Sequence, residues 1–219
     1  EKLTVDKSLI ERVNMSSFNS ANTVLSDSAF IRNTLSFASM ADVQISNVDF
    51  SRSIINNVTF SDARISNSSF LRANMSSIVL SDATIEYTDF TNTNMSFADL
   101  SDASLNNNIF TDCSCNNMDL SHSEISNSIF IDTNMSSTDF SKAEIVKSDF
   151  SDAILSFSDF TKAEISESKF TYASANNADF SKSELKGVDF SNTNLSSADF
   201  SNTKLISVNF ENATLSFSN

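Results

Sequence analysis

The stretch Ser141–Phe150 reads SKAEIVKSDF, and related stretches follow it at intervals of twenty residues. Thr161–Phe170 reads TKAEISESKF, and Ser181–Phe190 reads SKSELKGVDF. In each stretch an apolar residue stands at every fifth position, with a mostly small residue two positions before it, and this register runs from Leu25 to Leu215 without an insertion. A period of five fits neither a helix nor a strand. It predicts a chain that turns a corner every five residues and points one large and one small side chain inward per side.

The number of sides in one turn follows from the spacing at which identical residues recur, which is twenty residues. Met75, Met95 and Met135 share one column, and Ile125 and Ile145 share another. Four sides of five residues therefore make one turn of a solenoid, which predicts about eleven turns and a rod about 50 Å long at roughly 4.8 Å per turn. We expect a single domain over residues 1–219, with residues 1–24 as an irregular first turn. The first turn is irregular because Phe18 stands where the register expects a small residue and Ser20 stands where it expects a large one.

The composition narrows the classes of function. The chain has a net charge of −14, no proline and one glycine, so its many turns must be built by Ser, Asn and Asp. The net charge argues against direct binding of nucleic acid, and no apolar run is long enough to cross a membrane. Cys113 and Cys115 fall on inward positions of one side, where we interpret them as small buried hydrophobic residues in a reducing compartment.

Three five-residue motifs carry a resemblance to a known family. Ser96–Leu100 reads SFADL, Asn176–Phe180 reads NNADF and Ser196–Phe200 reads SSADF. They resemble the pentapeptide-repeat consensus, and the resemblance covers nearly all of the chain. It implies an all-β fold, a right-handed quadrilateral parallel β-helix. It also implies a function, because Qnr-like and MfpA-like members are acidic rods that engage DNA gyrase or topoisomerase IV.

The sequence contains none of the usual catalytic or ligand-binding motifs. His122 is the only histidine, and it is predicted to face outward on a smooth rod. Base catalysis needs an orienting partner in a concave site, and zinc needs more Cys or His ligands than the chain provides. We therefore predict that the protein is not an enzyme and has no catalytic, cofactor-binding or metal-binding residues.

Charged residues, in contrast, are organised in columns with a spacing of twenty. The aspartate ladder is Asp99, Asp119, Asp139, Asp159, Asp179 and Asp199, and the glutamate ladder is Glu124, Glu144, Glu164 and Glu184. Two interpretations of the aspartate ladder remain open: each carboxylate accepts nearby backbone N–H groups at a corner, or the ladder imitates the charge of duplex DNA. Both ladders are candidate interaction surfaces. Secondary candidates are Arg12, Arg32, Arg52 and Arg72 in one column and Phe37, Phe97, Phe157 and Phe217 in another.

These patterns predict a non-enzymatic, rigid, acidic solenoid that binds other proteins. The specific expectation is a DNA mimic that modulates a type II topoisomerase such as gyrase. The alternative is a structural scaffold or spacer domain, on its own or within a larger or effector protein, with no topoisomerase role. We expect a protein partner, no direct contact with nucleic acid or membrane, and a homodimer or end-to-end stacking of open solenoid ends. The expected location is the bacterial cytoplasm, with a secreted effector as the alternative.

Overall fold

The computed structural model describes residues 3–219, and over these residues the chain is a parallel β-solenoid of about ten turns, with about 20 residues per turn and no helix. The predicted fold class is confirmed. Within these residues, no helix could cross a membrane. The thirteen strands are short, three residues each: β1 Thr4–Asp6, β2 Leu9–Glu11, β3 Val24–Ser26, β4 Ala29–Ile31, β5 Gln44–Ser46, β6 Arg64–Ser66, β7 Thr84–Glu86, β8 Ser104–Asn106, β9 Glu124–Ser126, β10 Glu144–Val146, β11 Glu164–Ser166, β12 Glu184–Lys186 and β13 Lys204–Ile206.

Every strand pairs with a strand one turn away. An eleven-stranded parallel sheet in the order β1-β3-β5-β6-β7-β8-β9-β10-β11-β12-β13 runs along one side, and β2 pairs with β4 on the next. The register is a constant step of twenty, so Ile145 lies between Ile125 and Ile165. Single β-bridges continue the same step on the other sides. Because consecutive turns satisfy each other's backbone groups, each turn is stabilised mainly by its two neighbours.

The core is built from columns of stacked side chains. The ring of Phe150 lies between those of Phe130 and Phe170, with ring centroids 4.6 and 4.9 Å apart, and it meets Phe140 edge-on at 6.0 Å. Phe150 and Ile145 have no exposed surface. These parallel-offset and edge-to-face contacts are the favourable geometries for aromatic rings. The inward positions predicted from the five-residue register are therefore buried from Leu25 to Leu195, whereas Leu205 and Leu215 near the C-terminal end are 47% and 42% exposed.

The corners have one repeated backbone conformation. Every fifth residue from Lys7 to Phe217 has a positive φ, between 45° and 63°. At the corner centred on Asp152, the N–H of Ala153 donates to the carbonyl of Phe150 at 3.2 Å, as expected for a turn whose third residue is left-handed. Asn and Asp tolerate this conformation better than other non-glycine residues. This explains how a chain with Gly187 as its only glycine can turn so many corners.

The corner that follows each strand of the large sheet uses side chains to complete its hydrogen bonds. The N–H of Ser128 donates to Oγ of Ser148 at 3.3 Å, and the N–H of Ser148 donates to Oγ of Ser168 at 3.1 Å. Asn108 takes the same role for the N–H of Thr88 at 3.0 Å. The small inward residues at this corner thus accept backbone N–H groups from the preceding turn. Small size alone would not require Ser or Asn at these positions, but this hydrogen bond does.

The interpretation of the two cysteines as separate buried hydrophobic residues is wrong. Cys113 and Cys115 are buried, and they form a disulfide with Cα atoms 5.6 Å apart. They occupy the small and the large inward position of one side, which places their Cα atoms within the usual range for a disulfide. The inward placement was predictable from the register. The bond was not, because it depends on the distance between two positions separated by a single residue.

Candidate interaction surfaces

The aspartate ladder is a continuous row in the structure. Asp99 pairs with Asp119 through a β-bridge, and the pairing continues turn by turn to Asp199. All six side chains are partly exposed. Their backbones are about 4.8 Å apart, the usual separation of neighbouring strands. The row is therefore a ridge of stacked carboxylates along one side of the C-terminal half.

Each aspartate of the ladder also has a local structural role. Oδ1 of Asp139 accepts the N–H of Ser141 at 2.7 Å, and Oδ1 of Asp159 accepts the N–H of Thr161 at 2.7 Å. Such a bond to the residue two positions on stabilises the turn that follows. It supports the interpretation of the ladder as a set of corner-stabilising groups. It does not exclude a role in binding, because these hydrogen bonds involve only one of the two carboxylate oxygens.

Asp199, the last member of the ladder, shows the electrostatic consequence of these bonds. The backbone N–H of Ser201 holds the pKa of Asp199 below its ordinary value, assisted by the Ser201 hydroxyl and the Asn219 side chain and opposed by partial desolvation. A lowered pKa in the folded state means that the ionised carboxylate stabilises the fold. This contribution is fully present above the pKa that Asp199 has in the unfolded chain, and it is lost as the pH falls through the pKa that Asp199 has in the folded protein.

The glutamate ladder lies on the side formed by the large sheet. Glu124, Glu144 and Glu164 are exposed, and Glu184 is partly buried and pairs with Lys204 at 2.9 Å. Between the two ladders runs a corner that carries His122 followed by Lys142, Lys162 and Lys182. The acidic sides are therefore separated by a cationic edge.

His122 belongs to this cationic edge. It is exposed at a corner, and its Nε2 lies 3.0 Å from Nζ of Lys142. Within residues 3–219, no group of three or more His, Cys, Asp or Glu side chains is arranged to hold a metal ion.

The arginine column continues into a column of the opposite charge. Arg12, Arg32, Arg52 and Arg72 are exposed corner residues in consecutive turns. The same corner then carries Asn92, followed by Asp112, Asp132 and Asp152. One edge of the rod is therefore positive in its N-terminal half and negative beyond the middle, with Asn92 at the point where the sign changes.

The aromatic row lies at the neighbouring corner. Phe37, Phe97 and Phe157 are 65%, 62% and 63% exposed, and their φ values are 61°, 60° and 63°. Phe217 continues the row at the C-terminal end. A left-handed conformation costs an L-residue roughly 1–2 kcal/mol, and phenylalanine has no side-chain oxygen to offset it. An exposed aromatic residue at three-turn intervals is therefore not explained by the stability of the turns.

The side between these two corners carries no charge, a feature that our interpretation of the charged columns missed. It comprises residues 13–17, 33–37, 53–57 and the equivalent segments of every later turn, to 213–217, and none of them contains Asp, Glu, Lys, Arg or His. All charged residues between 3 and 219 lie on the other three sides. We call this side the uncharged face. The signal was present in the sequence as a set of columns without charge.

Comparisons with known proteins agree with this architecture. A family model described as a pentapeptide repeat region matches residues 103–180, and one described as pentapeptide repeats (8 copies) matches residues 44–82, 59–96 and 183–219. No curated protein sequence matches the chain.

Solved structures of similar proteins have low sequence identity. HetL, a pentapeptide repeat protein involved in heterocyst differentiation regulation in the cyanobacterium Nostoc sp. strain PCC 7120, is 20% identical, with 95% of this chain and 87% of HetL covered and a TM-score of 0.36. A trypsin-treated variant of QnrB1, a plasmid-mediated fluoroquinolone resistance protein, is 18% identical, with 98% and 92% covered and a TM-score of 0.46. These values identify neither a partner nor an activity for this chain.

Proposed function

The chain belongs to the pentapeptide-repeat family, and from its surface we propose that it acts without catalysis, as a rigid acidic solenoid that binds other proteins. The specific proposal is a DNA mimic that occupies the DNA-binding surface of a type II topoisomerase such as gyrase. The resemblance to Qnr-like and MfpA-like members directs the proposal to this class of enzyme. Members of this family are generally non-catalytic.

The aspartate ladder is the observation that carries the proposal. It places carboxylates in six consecutive turns of one side, at a regular spacing of about 4.8 Å. A net charge of −14 on a rod about 50 Å long is roughly one negative charge per 3.6 Å, about half the linear charge density of duplex DNA. A regular row of negative charge on a narrow rod is attracted to a basic groove that receives the DNA phosphates.

A structural scaffold or spacer is the second candidate, and one observation favours it. Every aspartate of the ladder accepts the backbone N–H of the residue two positions on, as Asp179 does from Ser181 at 2.8 Å. A local role of this kind accounts for the column without a partner. The cationic edge of Lys142, Lys162 and Lys182 beside the ladder also makes the surface less uniform than that of DNA.

The two candidates differ in what the carboxylate charge does, and Asp→Asn substitutions separate charge from hydrogen bonding. The triple variant Asp139→Asn, Asp159→Asn, Asp179→Asn keeps an oxygen that accepts the same N–H group but removes three negative charges. If the ladder mimics DNA, the wild-type protein should compete with DNA for gyrase in a supercoiling assay, and the triple variant should need at least tenfold more protein for the same effect. Its melting temperature should stay close to that of the wild type.

The matched control removes three charges elsewhere. Asp42, Asp62 and Asp82 occupy corner positions with positive φ, where asparagine is equally suited, so Asp→Asn at these three sites gives the same net charge. This control should retain the wild-type effect on gyrase. Failure of the wild-type protein to act on gyrase or topoisomerase IV, or equal losses in both triple variants, would contradict the DNA-mimic proposal.

A further inference from the structure

The uncharged face has the properties of a protein-binding surface. Its outward positions are Ser, Asn and Thr with exposed Ile54 and Ile154, 44% and 46% accessible, and its edge carries the aromatic row. The central parts of protein interfaces are depleted of charged residues and enriched in aromatic ones. On a chain with net charge −14, a side without a single charge over its whole length needs an explanation.

Several polar groups of this face are already hydrogen-bonded to one another. Oγ of Ser96 donates to Oδ1 of Asn116 at 2.8 Å, and Oγ of Ser156 donates to Oδ1 of Asn176 at 2.6 Å. Nδ2 of Asn94 donates to Oδ1 of Asn74 at 3.3 Å. Polar groups that keep their partners can be covered at little cost, because the expensive event is leaving a buried group unpaired. The face is therefore suited to being covered by another molecule.

The charges along its edge indicate which molecule covers it. The corner that borders the face carries Arg32, Arg52 and Arg72 on one side of Asn92 and the column of Asp112, Asp132 and Asp152 on the other. The order of charges reverses sign about Asn92. A partner complementary to this edge must itself carry acidic groups opposite the arginines and basic groups opposite the aspartates, at the same spacing. A second copy of this chain with its axis reversed meets that requirement.

From this antisymmetry we propose that the uncharged face is a self-association surface, on which a second copy of the chain lies antiparallel in a register centred on Asn92. The two-fold axis of such a dimer is perpendicular to both rods and brings each corner opposite the same corner of the second copy. The charged corner then forms three pairs, each made twice: Arg32 with Asp152, Arg52 with Asp132, and Arg72 with Asp112 of the second copy.

The aromatic row matches the same register independently of the charges. With the copies centred in this way, Phe97 lies opposite Phe97 of the second copy, and Phe37 lies opposite Phe157. The two corners differ by one side-to-side step, a quarter of a turn, so with the two-fold axis midway between Asn92 and Phe97 both sets meet to within about a quarter of a turn, on the order of 1 Å. The three-turn spacing of Phe37, Phe97 and Phe157 is explained as well, because a partner with the same rise per turn meets these three rings, while Phe217 lies outside the overlap.

The area of contact is sufficient for a reversible dimer. The register overlaps about nine turns, or roughly 43 Å of each rod, and a five-residue side is about 10–15 Å wide. Each copy thus buries roughly 500 Å², so the total is about 1,000 Å², at the lower limit of specific interfaces. Association is therefore expected to depend on concentration. Both acidic ladders lie on other sides, so the dimer does not depend on the proposed topoisomerase role.

The aromatic row provides the first test, by sedimentation equilibrium from micromolar to near-millimolar concentration. Wild-type protein should form a dimer, and Phe97→Asn should raise the dissociation constant at least tenfold. The same substitution should not lower the melting temperature of the dilute protein, because asparagine suits a φ of 60° better than phenylalanine does. Tyr87→Asn is the matched control: Tyr87 is also exposed at a corner with positive φ, but it lies on the opposite side of the rod. It should leave the dimer unchanged.

Charge exchange tests the register. Arg52→Asp and Asp132→Arg should each weaken the dimer, since each places like charges opposite one another, and the double variant should restore it to within a few-fold of the wild type. A mismatched double variant, Arg52→Asp with Asp112→Arg, has the same net charge but should stay weakened, because its two sites face different partners. A protein that is monomeric throughout, a dimer insensitive to Phe97→Asn, or equal restoration by both double variants would overturn the proposal.

Discussion

Phe150→Asp should abolish the folding of the turns around it. The side chain has no exposed surface, and its ring is stacked between Phe130 and Phe170 and meets Phe140 edge-on. Loss of a buried phenylalanine costs about 3–5 kcal/mol, and burial of an unpaired carboxylate adds several more. The sum is comparable to the whole stability of an ordinary domain, about 5–15 kcal/mol. Circular dichroism should therefore show a clear loss of β-signal.

The extent of this unfolding is informative because each turn depends mainly on its neighbours. Hydrogen exchange should show the largest loss of protection in the turns adjacent to Phe150 and a smaller loss near Leu35, far along the rod. Phe157→Asp is the control: this ring is exposed at a corner of the kind where Asp152 stands in the native chain. In dilute solution it should be close to neutral. A native melting temperature for Phe150→Asp would contradict the assignment of this column to the core.

Asn108→Ala should lower the free energy of unfolding by about 2–4 kcal/mol. Asn108 is buried, and its side chain makes two bonds to the preceding turns: Oδ1 accepts the N–H of Thr88 at 3.0 Å, and Nδ2 donates to the carbonyl of Ile85 at 2.8 Å. Alanine leaves the N–H of Thr88 without a partner, which costs about 1–3 kcal/mol, and it removes a second bond to the carbonyl of Ile85, a residue that also pairs in the β7–β8 ladder. Urea denaturation measures the difference.

Asn108→Ser is the matched variant for this effect. Serine is the common residue at this corner, and in the next turns Oγ of Ser128 accepts the N–H of Asn108 at 3.2 Å and Oγ of Ser148 accepts that of Ser128. A serine at 108 should therefore recover the bond to Thr88 and lose only the one to Ile85, so we expect about half the cost of alanine. Equal costs for alanine and serine would show that packing, and not the backbone N–H of Thr88, determines the effect.

The sequence predicts the positions of the candidate surfaces better than it predicts their hydrogen bonds. The aspartate and glutamate ladders follow from the spacing of twenty alone, since any residue type repeated at that interval must stack in a column. Their hydrogen bonds, such as that from Ser141 to Asp139, required coordinates. The uncharged face is also present in the sequence, as columns that contain no charged residue. Its meaning depends on knowing that the column of Arg52 and the column of Phe97 border the same side.

The sequence by itself determined the solenoid. A five-residue register without insertions assigns each position either to the inside or to the outside, and the assignment is the same in every turn. It thus placed Phe150 and Ile145 in the core and the ladders on the surface. The tertiary structure decided what those side chains contact. The disulfide of Cys113 and Cys115, the acceptor roles of Ser148 and Asn108, and the left-handed corners all depend on atomic distances. Periodicity specifies the direction in which a side chain points, but a bond requires a separation of a few ångströms between atoms, often atoms twenty residues apart.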